Sequence, residues 1–101
     1  MKKDLLPIGS VVLLKEATKK LMIIGFLATS EEHNHKLFDY SACLYPEGLL
    51  SSDEVCLFNN EDIDTVFYKG YSSDEETNFK TNLNNNYDKI VEAINNINNE
   101  N

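Results

Sequence analysis

Short apolar segments of strand length, separated by polar turns, occupy the first two thirds of the chain. These segments are residues 11–14, 19–28, 37–45, 55–58 and 65–71. The second is apolar at successive positions, as in a strand covered on both faces, whereas the third alternates with the period of a half-buried strand. Because the connections are short, neighbouring strands are expected to pair antiparallel. The pattern predicts about five strands between residues 10 and 71.

The hydrophobic period changes to that of a helix after Ser73. Ser73 and Glu76 have the spacing of a capping box, which marks a helix start. Apolar side chains then recur at steps of three and four residues, at Phe79, Leu83, Tyr87, Ile90, Val91, Ile94 and Ile97. The sequence predicts a helix over residues 74–94, with the Asn-rich segment 95–101 fraying.

The length of this apolar stripe raises a difficulty. A continuous helix to Asn98 would be about 37 Å long, longer than a compact domain of this size. Either the helix breaks at residues 84–86, where three Asn residues favour a turn, or its end projects and buries the stripe against a second chain. The second alternative would produce a homodimer through the C-terminal helix.

These elements predict one α+β domain over residues 1–94. The expected architecture is a small, strongly bent antiparallel sheet, or a partly open barrel like that of an SH3 domain, with the C-terminal helix packed across it. A chain of 101 residues that is 42% hydrophobic can bury one core.

The net negative charge of the chain is confined to its second half. Residues 1–50 contain equal numbers of lysines and acidic residues, so the whole net charge of −8 lies in residues 51–101. The chain has no Arg, the usual reader of phosphate and guanine, and its acidic half would repel a phosphate backbone. We therefore expect no nucleic-acid binding, and either a basic partner or simple solubility as the use of the charge.

The sequence also predicts a cytoplasmic location without membrane insertion. No window approaches the about 20 apolar residues that span a bilayer. Asp4, Pro7 and Gly9 interrupt the apolar stretch that a signal peptide would require. Cys43 and Cys56 lie in strand-like segments and are interpreted as buried thiols rather than as a disulfide.

Few residue patterns suggest chemistry. His33 and His35 would share one face of a strand and could bind a metal together, but no third ligand stands at a recognised spacing. The acidic run 61–64 lacks the glycine-bearing loop of a calcium site, and no glycine-rich phosphate loop occurs. We expect no catalysis, metal or cofactor, with a small metal-dependent enzyme using His33 and His35 as the alternative.

Protein binding is the function class that remains. Sheet edges can accept a partner's strand, and an apolar helix stripe can accept a partner's helix. The candidate partner-binding residues are Tyr40, Tyr45, Glu47, Glu61, Asp62, Tyr71, Tyr87, Ile90 and Ile94.

Several short motifs resemble one protein family. They are residues 6–15, 22–25, 39–40, 45–48, 58–59, 61–63 and 70–71. In this order and spacing they resemble the DUF4176 family, short proteins of low-GC Gram-positive bacteria, over Leu6 to Leu83. The chain departs from the family pattern at Glu16-Ala17-Thr18, where glycine is usual, and in its Asn-rich tail.

The resemblance implies an accessory role in type VII secretion. Members of the family tend to be encoded next to such systems and their LXG toxins, so the resemblance implies a cytoplasmic adaptor or chaperone-like accessory. Its expected partner is a toxin or another secretion component. The family has no assigned catalytic residues. An immunity protein that neutralises a cognate toxin remains a further alternative.

Overall fold

The protein is an α+β domain, as its hydrophobic pattern predicts. The computed structural model describes residues 4–30 and 36–99, with side chains as far as Ile97. The strands are β1 (Val11–Leu14), β2 (Leu21–Ser30), β3 (Lys36–Leu44), β4 (Cys56–Phe58) and β5 (Ile63–Tyr68). Two helices follow, α1 (Asp74–Asn85) and α2 (Tyr87–Asn99). Single 3-10 turns, Ser52–Glu54 and Asn60–Asp62, flank β4.

The strands form one open antiparallel sheet in the order β4-β3-β2-β1-β5. The chain places β5 against β1, so the consecutive strands β4 and β5 lie at opposite edges. This separation leaves the sheet open. Of the two expected architectures, the small antiparallel sheet is therefore confirmed, and the sheet does not close into a barrel. Register shifts, including one between Ile23 and Gly25 in β2, introduce bulges that bend and twist the strands.

The core lies on one face of this sheet around Tyr40. Its buried members are Leu5, Val12, Leu21, Ile23, Tyr40, Ala42 and Phe58. The Tyr40 ring packs against Phe58 and Phe26, with ring centroids 5.3 and 6.3 Å apart respectively. Burial of each large apolar side chain contributes about 1.5–3 kcal/mol, so this cluster supplies the main stabilisation of the sheet.

A buried crossing ties the end of β5 to the segment before β1. The Ser10 hydroxyl donates to the Pro7 carbonyl at 2.7 Å and accepts from the Gly70 N–H at 2.9 Å. A Cβ atom on Gly70 would lie 2.2 Å from the Ile8 carbonyl oxygen, so only glycine fits at this position. The crossing holds residues 8–10 and 70 in fixed relation.

The first helix begins where the capping pattern predicts. The Ser73 hydroxyl accepts a hydrogen bond from the Glu76 N–H at 3.2 Å and caps α1. Phe79 packs its ring against Phe26, with centroids 6.2 Å apart, and the Lys80 ammonium donates to the Leu5 carbonyl at 2.9 Å. These contacts fix α1 against the sheet and the N-terminal segment.

The apolar stripe is divided between two helices rather than carried by one. The break lies at Asn86, within the predicted segment 84–86, where the backbone leaves helical geometry at φ −103° and ψ 4°. The second helix packs on α1 and β3. It continues to Asn99, so the predicted end at Ile94 is too early and residues 95–99, expected to fray, are helical. No helix in the described ranges is long and apolar enough to cross a membrane.

Candidate protein-binding surface

The outer edge of the sheet at β5 is apolar and exposed. Val66, Phe67 and Tyr68 retain 46%, 51% and 62% of their accessible surface. Within the part of the chain that the structure describes, β5 pairs with β1 and with no strand on its other side. The Lys20 ammonium covers the Phe67 ring from 4.9 Å. The opposite edge, β4, is three residues long, so β5 offers the longer template for an added strand.

A groove opens beyond the end of β5. Its volume is about 440 Å³, and its apolar walls come from Ile8, Phe26, Tyr71 and Phe79. Tyr71 is 81% exposed, and Ile8 and Phe79 are each about half exposed. Gly70 lies directly against Ile8, which lines the groove, and α1, which contributes Phe79, follows Gly70 in the chain. It is large enough to accept one or two side chains.

The rim of the groove carries carboxylates. Glu76 is paired with Lys80 at 2.9 Å and accepts from the Ser72 hydroxyl at 3.2 Å. Glu75 also lines the groove, and it is exposed. Asp74 and Glu75 form no ion pair with the described residues, and both sit in the first turn of α1. The rim is therefore negative, with one carboxylate held by Lys80 and Glu75 facing solvent.

Tyr40, one of the predicted partner-binding residues, is instead a residue of the core. Its side chain is fully buried, its hydroxyl accepts from the Leu6 N–H at 2.9 Å, and it donates to the Asn60 Oδ1 at 2.7 Å. Burial raises the pKa of the Tyr40 hydroxyl to about 12, and the nearby carboxylates of Asp39 and Asp4 add to the shift. Tyr40 holds the N-terminal segment and the 3-10 turn after β4 onto the core.

The predicted residues Glu61 and Asp62 belong to that same 3-10 turn. Asp62 accepts from the Asn59 N–H at 2.9 Å, which gives it a capping role. Buried Asp39 accepts from the Asn60 N–H at 2.8 Å, and the Asp39 N–H donates to the Asn59 side chain at 3.1 Å. Both Glu61 and Asp62 are exposed, but neither lines the groove.

Tyr45 and Glu47 lie in the turn after β3. Tyr45 is partly exposed, and its N–H donates to the Lys20 carbonyl at 3.0 Å. Glu47 pairs with Lys19 at 2.6 Å, and this hydrogen bond lowers the pKa of the Glu47 carboxyl. The pair is exposed on both sides, so it contributes little to stability.

The helix candidates are only partly available. Tyr87, Ile90 and Ile94 are half-buried on α2, which already packs on α1 and β3. Among the predicted residues, Tyr71 is the one that lines the groove. Ile8, Phe79 and the exposed residues of β5 were missed, since a sequence does not show which strand ends at a sheet edge.

The sequence model of a domain of unknown function, DUF4176, matches residues 5–79. The chain belongs to the DUF4176 family. No curated protein and no solved structure matches it. The matched segment contains the whole sheet, the Ser10–Gly70 crossing and α1 as far as Phe79, whereas α2 lies beyond it.

Residues that carry the DUF4176 resemblance hold the fold together. Ser10 and Gly70 make the buried crossing, and Asn59 joins β3 to the turn after β4. Glu16, in the first turn, has a φ of 64°, in the left-handed region that favours glycine.

Potential metal ligands do not cluster within the described ranges of this DUF4176 protein. Residues 4–30 and 36–99 contain no group of three or more His, Cys, Asp and Glu side chains that could hold an ion. His33 and His35, the pair considered for a metal site, lie outside the described residues. Cys43 is buried and Cys56 partly buried, both as free thiols.

Proposed function

We propose that this DUF4176 protein is a non-catalytic adaptor or chaperone-like accessory that binds another protein. In this proposal, an extended segment of the partner pairs with β5 as an additional strand of the sheet. The observation that carries the proposal is the free edge of β5 with three large exposed apolar side chains, Val66, Phe67 and Tyr68. Strand addition obtains affinity from main-chain hydrogen bonds and specificity from the alternate side chains.

The energetics favour a partner at this edge. Full burial of a large apolar side chain contributes about 1.5–3 kcal/mol, and these three are about half exposed, so covering them adds about 2–4 kcal/mol before ordering costs. Asp64 and Lys69 flank the exposed trio, and charges of this kind disfavour indiscriminate edge-to-edge pairing. The edge is suited to a selected partner rather than to aggregation.

The proposed setting is the cytoplasm, in association with type VII secretion of toxins. It rests on what is expected of DUF4176 proteins, and the proposed partner is an LXG toxin or another secretion component. A protein of this kind would hold an aggregation-prone segment of its partner before export, which requires an adhesive edge and no reactive groups.

The test is affinity capture of the tagged full chain from its native cytoplasm, with mass spectrometry of the bound proteins. Val66→Lys places a charge on the edge and blocks strand addition, whereas Leu50→Lys introduces the same charge at an exposed apolar residue outside β5. We expect wild type and Leu50→Lys to enrich a toxin or secretion component, and Val66→Lys to lose it.

Two results would contradict the proposal. Recovery of no secretion-system protein by wild type would refute the setting, and equal recovery by Val66→Lys would refute the surface. Binding to a toxin's active domain, together with rescue of growth when that domain is co-expressed, would replace the adaptor with an immunity protein.

A further inference from the structure

The groove lies beside the residues that follow β5, the strand at which we propose strand addition, so its use by a partner rests on that proposed function. β5 ends at Tyr68, and the chain stays alongside the N-terminal segment as far as Gly70, whose N–H is held by Ser10. The next residue, Tyr71, lines the groove. The groove therefore adjoins the chain three residues after the last residue of β5.

The groove combines apolar walls with an exposed carboxylate. Ile8, Phe26, Tyr71 and Phe79 provide the walls. Glu75, on the rim, has no ion pair with the described residues, whereas its neighbour Glu76 is held by Lys80. An apolar side chain with an adjacent cation matches both features, because the walls would cover the first and Glu75 would pair with the second.

We propose that the groove binds an extended segment of a partner protein in which a large apolar residue stands next to Lys or Arg. The apolar side chain fills the groove, the cation pairs with Glu75, and the preceding residues of the segment pair with β5. Strand addition alone does not determine which side chains the partner's segment carries. The groove selects a segment with an apolar residue next to a cation.

Charge argues against a second copy of this chain as the occupant. The whole net charge of −8 lies in residues 51–101, which include β5 and the groove rim. Two copies meeting at this surface would bring Asp74 and Glu75 of each towards the carboxylates of the other, which is repulsive. A basic segment instead gains from the same field, and its binding weakens as ionic strength rises.

Selection from a phage-displayed library of short random peptides, panned against the wild-type full chain, tests the proposal. We expect the selected peptides to share an aromatic or large aliphatic residue adjacent to Lys or Arg. A synthetic copy of a selected peptide, labelled with fluorescein, then reports affinity by anisotropy. Raising the salt concentration should weaken its binding.

Two groove variants and two matched controls define the contacts. Tyr71→Ser removes the most exposed wall and should weaken binding about tenfold. Glu75→Lys reverses the rim charge and should weaken it about three- to tenfold. Leu50→Ser removes an exposed apolar side chain elsewhere, Glu92→Lys reverses an exposed charge elsewhere, and both should leave affinity unchanged.

The outcomes separate the groove from the strand edge. Peptides that lose binding to Val66→Lys but keep it to Tyr71→Ser and Glu75→Lys would overturn the groove while leaving strand addition intact. Loss of peptide binding in Tyr71→Ser and Glu75→Lys, but not in Val66→Lys, would support binding in the groove and count against strand addition at β5.

Three other results bear on the occupant. Selected peptides that share no residue pattern, or that are acidic, would overturn the inference. A dimer detected by sedimentation of wild type and abolished by Tyr71→Ser would also overturn it, because a second copy would then occupy the groove. A monomer would support the inference, since the groove is then open to the partner.

Discussion

Removal of one oxygen atom from the core should destabilise the sheet measurably. Tyr40→Phe keeps the ring and its contacts with Phe58 and Phe26, but it leaves the Leu6 N–H and the Asn60 Oδ1 without the hydroxyl at 2.9 and 2.7 Å. Each buried polar group left unpaired costs about 1–3 kcal/mol. Leu6 and Asn60 are only partly buried, so water offsets some of the loss. We expect a destabilisation of about 2–3 kcal/mol.

Urea unfolding followed by far-ultraviolet circular dichroism measures this change. For a small domain the free energy of unfolding falls by about 1–3 kcal/mol per molar urea. The urea concentration at the midpoint of unfolding should therefore fall by about 1–2 M, with this slope unchanged. Tyr71→Phe is the matched control, because Tyr71 is 81% exposed, and it should unfold with wild type. A Tyr40→Phe midpoint equal to that of the control would refute the structural role given to the hydroxyl.

Three further predictions concern the backbone and the alkaline range. Gly70→Ala should cost more than about 2 kcal/mol in urea unfolding, because its Cβ would lie 2.2 Å from the Ile8 carbonyl oxygen; wild-type stability would contradict the crossing. Glu16→Gly should stabilise by up to about 1 kcal/mol, since φ is 64° there; a clear loss would contradict that geometry. Because burial raises the pKa of Tyr40 from 10.0 to about 12, the folded state favours the neutral hydroxyl. The contribution of the neutral Tyr40 hydroxyl to the free energy of unfolding is complete below pH 10 and declines as pH rises towards 12, by about 3 kcal/mol in total. Stability should therefore fall more steeply in wild type than in Tyr40→Phe across that range.

Features set by neighbouring residues could be predicted from the sequence. The cap at Ser73 depends on the Glu76 N–H three residues away, and the break at Asn86 depends on a run of Asn. Strand positions were likewise predictable, because short apolar runs between turns are local patterns. These elements give the α+β class and the antiparallel sheet.

Features set by distant pairing could not be predicted. The bulge after Ile23 shifts the alternation, so that Phe26 packs on the core side with Ile23 although three positions separate them. The pairing of β5 with β1 instead of β4 decides which strand is exposed, and no local pattern records it. For the same reason the sequence places Tyr40 among surface tyrosines, whereas its hydroxyl joins segments 34 and 20 residues away.

One hydrogen bond brings together the two boundaries of the segment that matches DUF4176. The Lys80 ammonium reaches the Leu5 carbonyl across 75 residues, beside the ends of the match at residues 5 and 79. This hydrogen bond joins the first and last parts of the matched segment, and α2 follows the segment in the chain. A related chain could therefore carry a different terminal helix, and with it a different surface over β3, without any change in the contacts that hold the sheet and α1 together.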